Sequence, residues 1–236
     1  MEPRRRVAVL LAGGTGTRMG QALPKQLLEV GGRTLLEHAL RTFHRHPEVD
    51  AITVVMAADH LDAARAIVDA GGYADKVTHV VEGGATRGDS TVAALATLGD
   101  DPCLVLVHDA ARPLVTARII TDCFESLASY PVVNVAIESP DTIVELDADG
   151  GIRATLDRSS LRRVQTPQGF HSDVLREAYA LAAHDPDVAA TDDCGVVMRY
   201  LPDQPVVVVP GDERNLKVTT PADLQVVAAL LAAEYT

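Results

Sequence analysis

The chain has 236 residues, a net charge of −12 and only 3% aromatic residues, with no tryptophan. That length supports one large α/β unit with a core of Ala, Val, Leu and Ile, and the acidic balance argues against nonspecific nucleic-acid binding, which runs on cationic surface. Cys103, Cys123 and Cys194 are odd in number, far apart and free of any C-x-x-C pattern, so neither a disulfide framework nor a zinc site is expected and a reduced cytosol is the simpler setting.

Arg4, Arg5 and Arg6 precede an apolar run, Val7–Leu11. The run is shorter than the roughly 7–15 apolar residues of a secretion signal, and it reads as a buried first strand. No segment approaches the roughly 20 apolar residues of a membrane span. A soluble, cytoplasmic protein with no membrane partner is expected.

The stretch after this strand carries the most chemistry. Leu11, Ala12, Gly13, Gly14, Thr15 and Gly16 form a loop whose glycines let backbone approach a ligand and turn N–H groups toward phosphate oxygens. Arg18 and Lys25 add two cations to it. Two familiar phosphate loops fail on spacing. A dinucleotide fingerprint starting at Gly14 and Gly16 needs glycine where Met19 stands, and a Walker A loop needs Lys after Gly20, where Gln21 stands. A triphosphate is the expected ligand, with a divalent cation, Mg²⁺, bound mostly through its phosphates.

Further along, short Val- and Ile-rich runs alternate with amphipathic stretches. Ala51–Ala57, Val77–Glu82, Cys103–His108 and Val132–Ile137 read as strands; Thr34–His46, His60–Asp69, Ser90–Leu98 and Ala117–Ser129 read as helices. Such alternation predicts a doubly wound, mostly parallel, Rossmann-like sheet, with ligands beyond the carboxyl ends of its strands. The rhythm breaks after Ile137, where Asp141–Leu146 and Ile152–Leu156 read as a hairpin around an Asp149-Gly150 turn. This gives a projecting arm over about 139–165, either a surface excursion or an element that pairs with a second subunit. A helix over Ser172–Ala183, a strand over Val206–Val209 and a closing helix over Pro221–Glu234, capped by Thr220, complete one domain spanning 1–236.

The loops at the ligand edge hold the other candidates. Gly83 and Gly84 permit close approach to a flat base, Arg87 is placed to contact phosphate, and Ser90 either donates to a base or sugar or caps the next helix. Asp109, at the end of a buried parallel strand, is positioned to hold a divalent cation or to orient a substrate hydroxyl; Arg112 would pair with a phosphate through its planar fork or with Asp109 to fix the loop. His108 reads as structural. Arg158, Arg162 and Arg163 precede a Thr166-Pro167 turn, with Arg162 and Arg163 expected on the surface. Thr191 reads as a helix cap and as a substrate-binding candidate, and Lys217 as a residue of a short strand before the last helix.

Taken in order, Ala12-Gly-Gly-x-Gly-x-Arg-Met, Pro24-Lys-Gln, Glu82-Gly-Gly-x-x-Arg, His108-Asp-Ala-Ala-Arg-Pro, Gln165-Thr-Pro-Gln-Gly-Phe, Thr191-Asp-Asp and Leu216-Lys-Val-Thr-Thr-Pro span nearly the whole chain. Together they resemble the cytidylyltransferases that act on 2-C-methyl-D-erythritol 4-phosphate and on D-ribitol 5-phosphate. The resemblance implies transfer of CMP from CTP to a polyol phosphate with release of pyrophosphate. It implies that Leu11 to Gly16 hold the triphosphate and that Arg18 and Lys25 stabilise the transition state. Gly83, Gly84 and Ser90 would then bind cytosine and ribose. Asp109 and Thr142 would contact the polyol, and Arg158 and Lys217 its phosphate. It further implies a homodimer that exchanges arms, so that Arg158 and Thr166 act on the neighbour's site. Methylerythritol phosphate is the expected acceptor, with ribitol phosphate as the alternative. A pyrophosphorylase using UTP or GTP, and a nucleotide sensor without turnover, are the competing readings; the full cationic set argues against the sensor.

Overall fold

The computed structural model describes residues 4–14, 23–185 and 191–233. Along them run β1 (Arg6–Leu11), β2 (Glu29–Val30), β3 (Arg33–Thr34), α1 (Leu35–Arg45), β4 (Ala51–Met56), α2 (Leu61–Ala70), β5 (Val77–Glu82) and α3 (Arg87–Leu95). Next come β6 (Leu104–Asp109), α4 (Ala117–Leu127), β7 (Val132–Glu138), β8 (Val144–Leu146) and β9 (Ile152–Thr155). The chain closes with β10 (Arg162–His171), α5 (Ser172–Ala182), α6 (Asp193–Tyr200), β11 (Val206–Pro210) and α7 (Pro221–Ala233).

Seven strands form one sheet in the order β11-β7-β10-β6-β1-β4-β5. β1 pairs in parallel with both β4 and β6, so the chain winds away from β1 in opposite directions and opens a crevice at its carboxyl end. The side-chain period of two decides which layer each residue joins. Ala8 and Leu10 face one layer with Leu40 and Phe43 of α1 and Phe124 of α4. Val7, Val9 and Leu11 face the other with Ala94 and Leu95 of α3, Leu175 and Ala178 of α5 and Val197 of α6. All three cysteines are buried free thiols. Among the described residues no helix is long and apolar enough to cross a membrane.

The expected mostly parallel sheet is present, with one element that the sequence reading missed. Residues 162–171 form a ten-residue strand, β10, antiparallel to both β6 and β7, where a surface segment and a Thr-Pro turn were expected. Its register shifts between Val164 and Gln168, and an irregularity of this kind accommodates Pro167, which has no N–H for the ladder. The expected hairpin arm is β8 and β9, which pair with each other as a separate two-stranded sheet. Asp147 shapes its turn by accepting the N–H groups of Asp149 and Gly151 on Oδ1, while Gly150 supplies the positive φ of 83°.

Candidate active site

The carboxyl ends of β1, β4, β5 and β6 converge on a cavity of about 510 Å³. Leu11, Gly13, Gly14, Lys25, Gly83, Gly84, Arg87, Ser90, Asp109 and Lys217 all line it, so segments more than a hundred residues apart meet where the alternating pattern placed a ligand. Leu11 and Asp109 are register partners at the ends of neighbouring strands. Ala12 is buried beneath the loop, its N–H donated to the Val55 carbonyl. Lys25 opens a 3₁₀ turn after Pro24 and donates from Nζ to the Val218 carbonyl at 2.9 Å. Thr15, Gly16 and Arg18 lie outside the described residues.

Gly83 and Gly84 are required here by packing as well as by access to a ligand. A Cβ on Gly84 would lie 2.1 Å from Cβ of Asp89, and one on Gly83 would lie 2.7 Å from Oγ of Ser90. The loop is folded that tightly onto the start of α3. Thr86, rather than Ser90, caps this helix: its side chain accepts the Asp89 N–H, and Asp89 accepts the Thr86 N–H in return. Ser90 sits inside the helix and donates to the Thr86 carbonyl.

The electrostatic centre is Asp109. Lys217 donates to its Oδ2 at 2.6 Å, and Nε of Arg87 reaches its Oδ1 at 3.4 Å. Burial alone would push this carboxyl upward; Arg87 and Lys217 together overcome it and hold Asp109 well below the usual carboxylate range. Lys217 stands in a segment without regular secondary structure rather than in the expected strand, and that segment is tied down by the Val218 N–H donating to the Ala111 carbonyl.

Several expected roles are corrected by the geometry. Arg87 does not stand free for phosphate: Nη1 donates to the fully buried Asp193 at 2.5 Å, and Nε is directed to Asp109. Arg112 does not fix the loop through Asp109 in the expected way; its Nη1 and Nη2 donate to the carbonyls of Asn215 and Val164. It braces β10 against the Lys217 segment. Thr166 is buried in its own chain, where Oγ1 accepts the Asp109 N–H at 3.0 Å, so it supports this chain's Asp109. The cap of α6 is Asp192, which accepts the Gly195 N–H, and not Thr191. Thr142, Arg158 and Thr191 are exposed and do not line the cavity; Arg158 donates to the Pro140 carbonyl within the arm.

His108 is structural, as expected, and its tautomer is determined by its partners. Nε2 faces the Arg112 carbonyl at 3.0 Å and must donate, which leaves Nδ1 to accept from the Thr166 hydroxyl. Burial lowers its pKa to about 4. A folded pKa below the unfolded value near 6.5 means that the unfolded chain binds more protons between about pH 4 and 6.5, so stability falls as pH drops through that window. The full loss is worth roughly 3 kcal/mol. The melting temperature should therefore fall between pH 7 and 4.5, and His108→Gln should flatten that fall. An equally steep acid profile in the variant would transfer the effect to other groups, of which buried His38 and His46 also have lowered pKa values.

A doubly wound sheet whose crevice joins a glycine loop, two lysines and a lysine-held carboxylate defines a nucleotidyltransferase. Residues 6–233 match the family profile described as "IspD: 2-C-methyl-D-erythritol 4-phosphate cytidylyltransferase", and the chain belongs to that family. It is 53% identical over 230 residues to the 2-C-methyl-D-erythritol 4-phosphate cytidylyltransferase of Thermobifida fusca, covering 95% of this chain and 92% of the relative. It is 37% identical to the bifunctional ribulose 5-phosphate reductase/CDP-ribitol pyrophosphorylase of Haemophilus influenzae, covering 95% of this chain but 48% of that longer protein. The crystal structure of 4-diphosphocytidyl-2C-methyl-D-erythritol synthase from Anaerococcus prevotii superposes with a TM-score of 0.87 at 29% identity, covering 97% and 96% of the two chains.

Proposed function

We propose that this enzyme transfers CMP from CTP to 2-C-methyl-D-erythritol 4-phosphate, releasing pyrophosphate and forming a CDP-polyol for isoprenoid precursor synthesis. The observation that carries this reading is the convergence of Lys25, Lys217 and Asp109 with the Leu11–Gly14 loop in one cavity. The choice of methylerythritol over ribitol phosphate is supported by the higher identity to the T. fusca enzyme.

The nucleophile is an acceptor phosphate oxygen, largely dianionic near neutrality because its second pKa is about 6. It needs no general base. It bonds to the α-phosphorus as the α–β anhydride bond breaks and pyrophosphate departs with the electron pair. The difficulty is anion meeting anion, and the residues address it by electrostatics and positioning. Lys25 and Arg18 stabilise charge on the α-phosphate and the leaving group. Lys217 holds the acceptor phosphate, and ionised Asp109 accepts hydrogen bonds from its hydroxyls.

Among the described residues no group of three or more His, Cys, Asp or Glu could hold a metal ion. Asp109, the one carboxylate in the cavity lining among the described residues, is already spanned by Lys217 and Arg87. The donor set fits a Mg²⁺ that would be held mainly by the triphosphate, with Asp109 as the side chain of this chain that would meet it. Such an ion would supply neutralisation of the phosphate charge.

The working unit in this reading is a cytoplasmic homodimer with exchanged arms. Ile143, Val144, Leu146, Ile152 and Leu156 of the arm are all exposed apolar residues on a hairpin that pairs only with itself, a surface suited to a second copy. Arg158 and Thr142 would then serve the neighbour's acceptor. The nucleotide half of the proposal is tested with CTP, UTP, GTP and ATP, each with methylerythritol 4-phosphate and Mg²⁺. A preference for CTP of at least about 100-fold in kcat/KM, roughly 2.7 kcal/mol, is expected. Equal turnover of UTP would overturn the cytidine assignment.

A further inference from the structure

The buried carboxylate of Asp193 lies outside the cavity lining, yet it is joined to the cavity by an unbroken series of polar contacts. Its Oδ1 accepts from the hydroxyls of Thr91 at 2.8 Å and Tyr179 at 2.5 Å. Its Oδ2 accepts from Nη1 of Arg87 at 2.5 Å, and its N–H donates to Oε1 of Gln168 at 3.1 Å. Arg87 passes on to Asp109 through Nε, and Asp109 to Lys217. Charge alternates along this series, from Asp193 to Arg87 to Asp109 to Lys217, and only its last three members line the cavity.

We infer that Asp193 is a positioning residue for acceptor binding, acting through Arg87 to fix the plane and charge of the Asp109 carboxylate. The inference rests on the polyol-phosphate reading above. Both Asp193 oxygens are occupied and its main chain is fixed, so Arg87 has one anchored orientation; a planar guanidinium held at Nη1 carries Nε to a set place. That orientation leaves Nη2 of Arg87 buried with no hydrogen-bond partner among the described residues. Buried ion pairs can often be replaced by apolar groups without loss of stability, so stability alone does not require this arrangement. The series ends on the group that the acceptor meets.

The test measures KM for each substrate and kcat in wild type, Asp193→Asn, Asp109→Asn and the double variant, with thermal unfolding of each. Loss of one charge-assisted contact should raise the acceptor KM of Asp193→Asn about 10-fold or more, with the CTP KM within about 3-fold of wild type. In the Asp109→Asn background the same change should add less than about 2-fold, because the two act as one unit. Additive effects, a CTP KM raised as much as the acceptor KM, or unchanged kinetics would each overturn the inference. Should Asp193→Asn fail to fold, Arg87→Lys keeps the charge but not the fork; it should show the same acceptor-selective loss, and an unchanged acceptor KM would contradict the proposal. Wild-type turnover of methylerythritol 4-phosphate decides the underlying reading separately, since that value involves no variant.

Discussion

Replacing Lys25 with alanine should lower kcat by at least about 10²-fold, the loss seen when one donor to a developing oxyanion is removed. The ammonium stands in the cavity wall beside Gly14, and its 2.9 Å contact to the Val218 carbonyl points it toward the segment that also carries Lys217. Pro24 and the 3₁₀ turn over Lys25–Leu27 fix where the side chain starts. Its charge counts most when the α-phosphate and pyrophosphate carry extra negative charge, so kcat should fall more than CTP affinity does. The loss of its hydrogen bond to the Val218 carbonyl costs about 1 kcal/mol of stability. Steady-state kinetics and a melting curve check both points; an unchanged kcat in a folded Lys25→Ala protein would remove Lys25 from the mechanism.

Asp109→Ala should damage stability and turnover together. Removing one partner of a buried ionic arrangement costs roughly 3–5 kcal/mol, and the lower end applies here because the Lys217 side chain is 40% exposed. A loss of about 3 kcal/mol lowers the melting temperature by roughly 6–12 °C in a chain of this size. The kcat/KM for the acceptor should fall by more than about 10²-fold, since a buried site built to bond a hydroxyl discriminates strongly when that bond is lost. Because the Asp109 pKa is held low, its stabilising contribution is complete above the unfolded value near 4 and is lost only as pH falls further toward the folded value. Acid loss between about pH 5 and 6.5 therefore falls to the buried histidines. An Asp109→Ala protein with wild-type melting and wild-type acceptor kinetics would contradict this account of the site.

What the sequence made legible depended on local signals. β1, β4 and β6 are runs dominated by Val, Leu and Ile, and α1 and α4 carry both an amphipathic period and a threonine cap, so their places could be read from adjacent residues. β10 could not. Arg162, Arg163, Gln165, Thr166 and Gln168 look like surface residues, yet Gln165, Thr166 and Gln168 are buried. They are satisfied by partners distant in sequence: Asp212, Asp109, Asn134 and Asp192.

The site shows the same division. Lys25, Asp109 and Lys217 were identifiable by type and motif, and the fold brings them together. Which cation serves which carboxylate was not identifiable, because Arg87 and Asp193 are 106 residues apart and no local pattern records their contact. Sequence could place an arginine at the ligand edge. Only the packing of α3, α5 and α6 shows that Arg87 turns back to a buried aspartate while Arg112 turns to main-chain carbonyls. One signal for Asp193 is present, the Thr191-Asp192-Asp193 segment, but neither a helix start nor a motif match tells that Asp193 is buried against Arg87.

The most direct test of the central claim is pyrophosphate release with CTP and Mg²⁺, run in parallel with 2-C-methyl-D-erythritol 4-phosphate and D-ribitol 5-phosphate. The account predicts that methylerythritol 4-phosphate is favoured by at least about 100-fold in kcat/KM, equivalent to roughly 2.7 kcal/mol. A preference for ribitol 5-phosphate, or no release with either acceptor while CTP still binds, would contradict it.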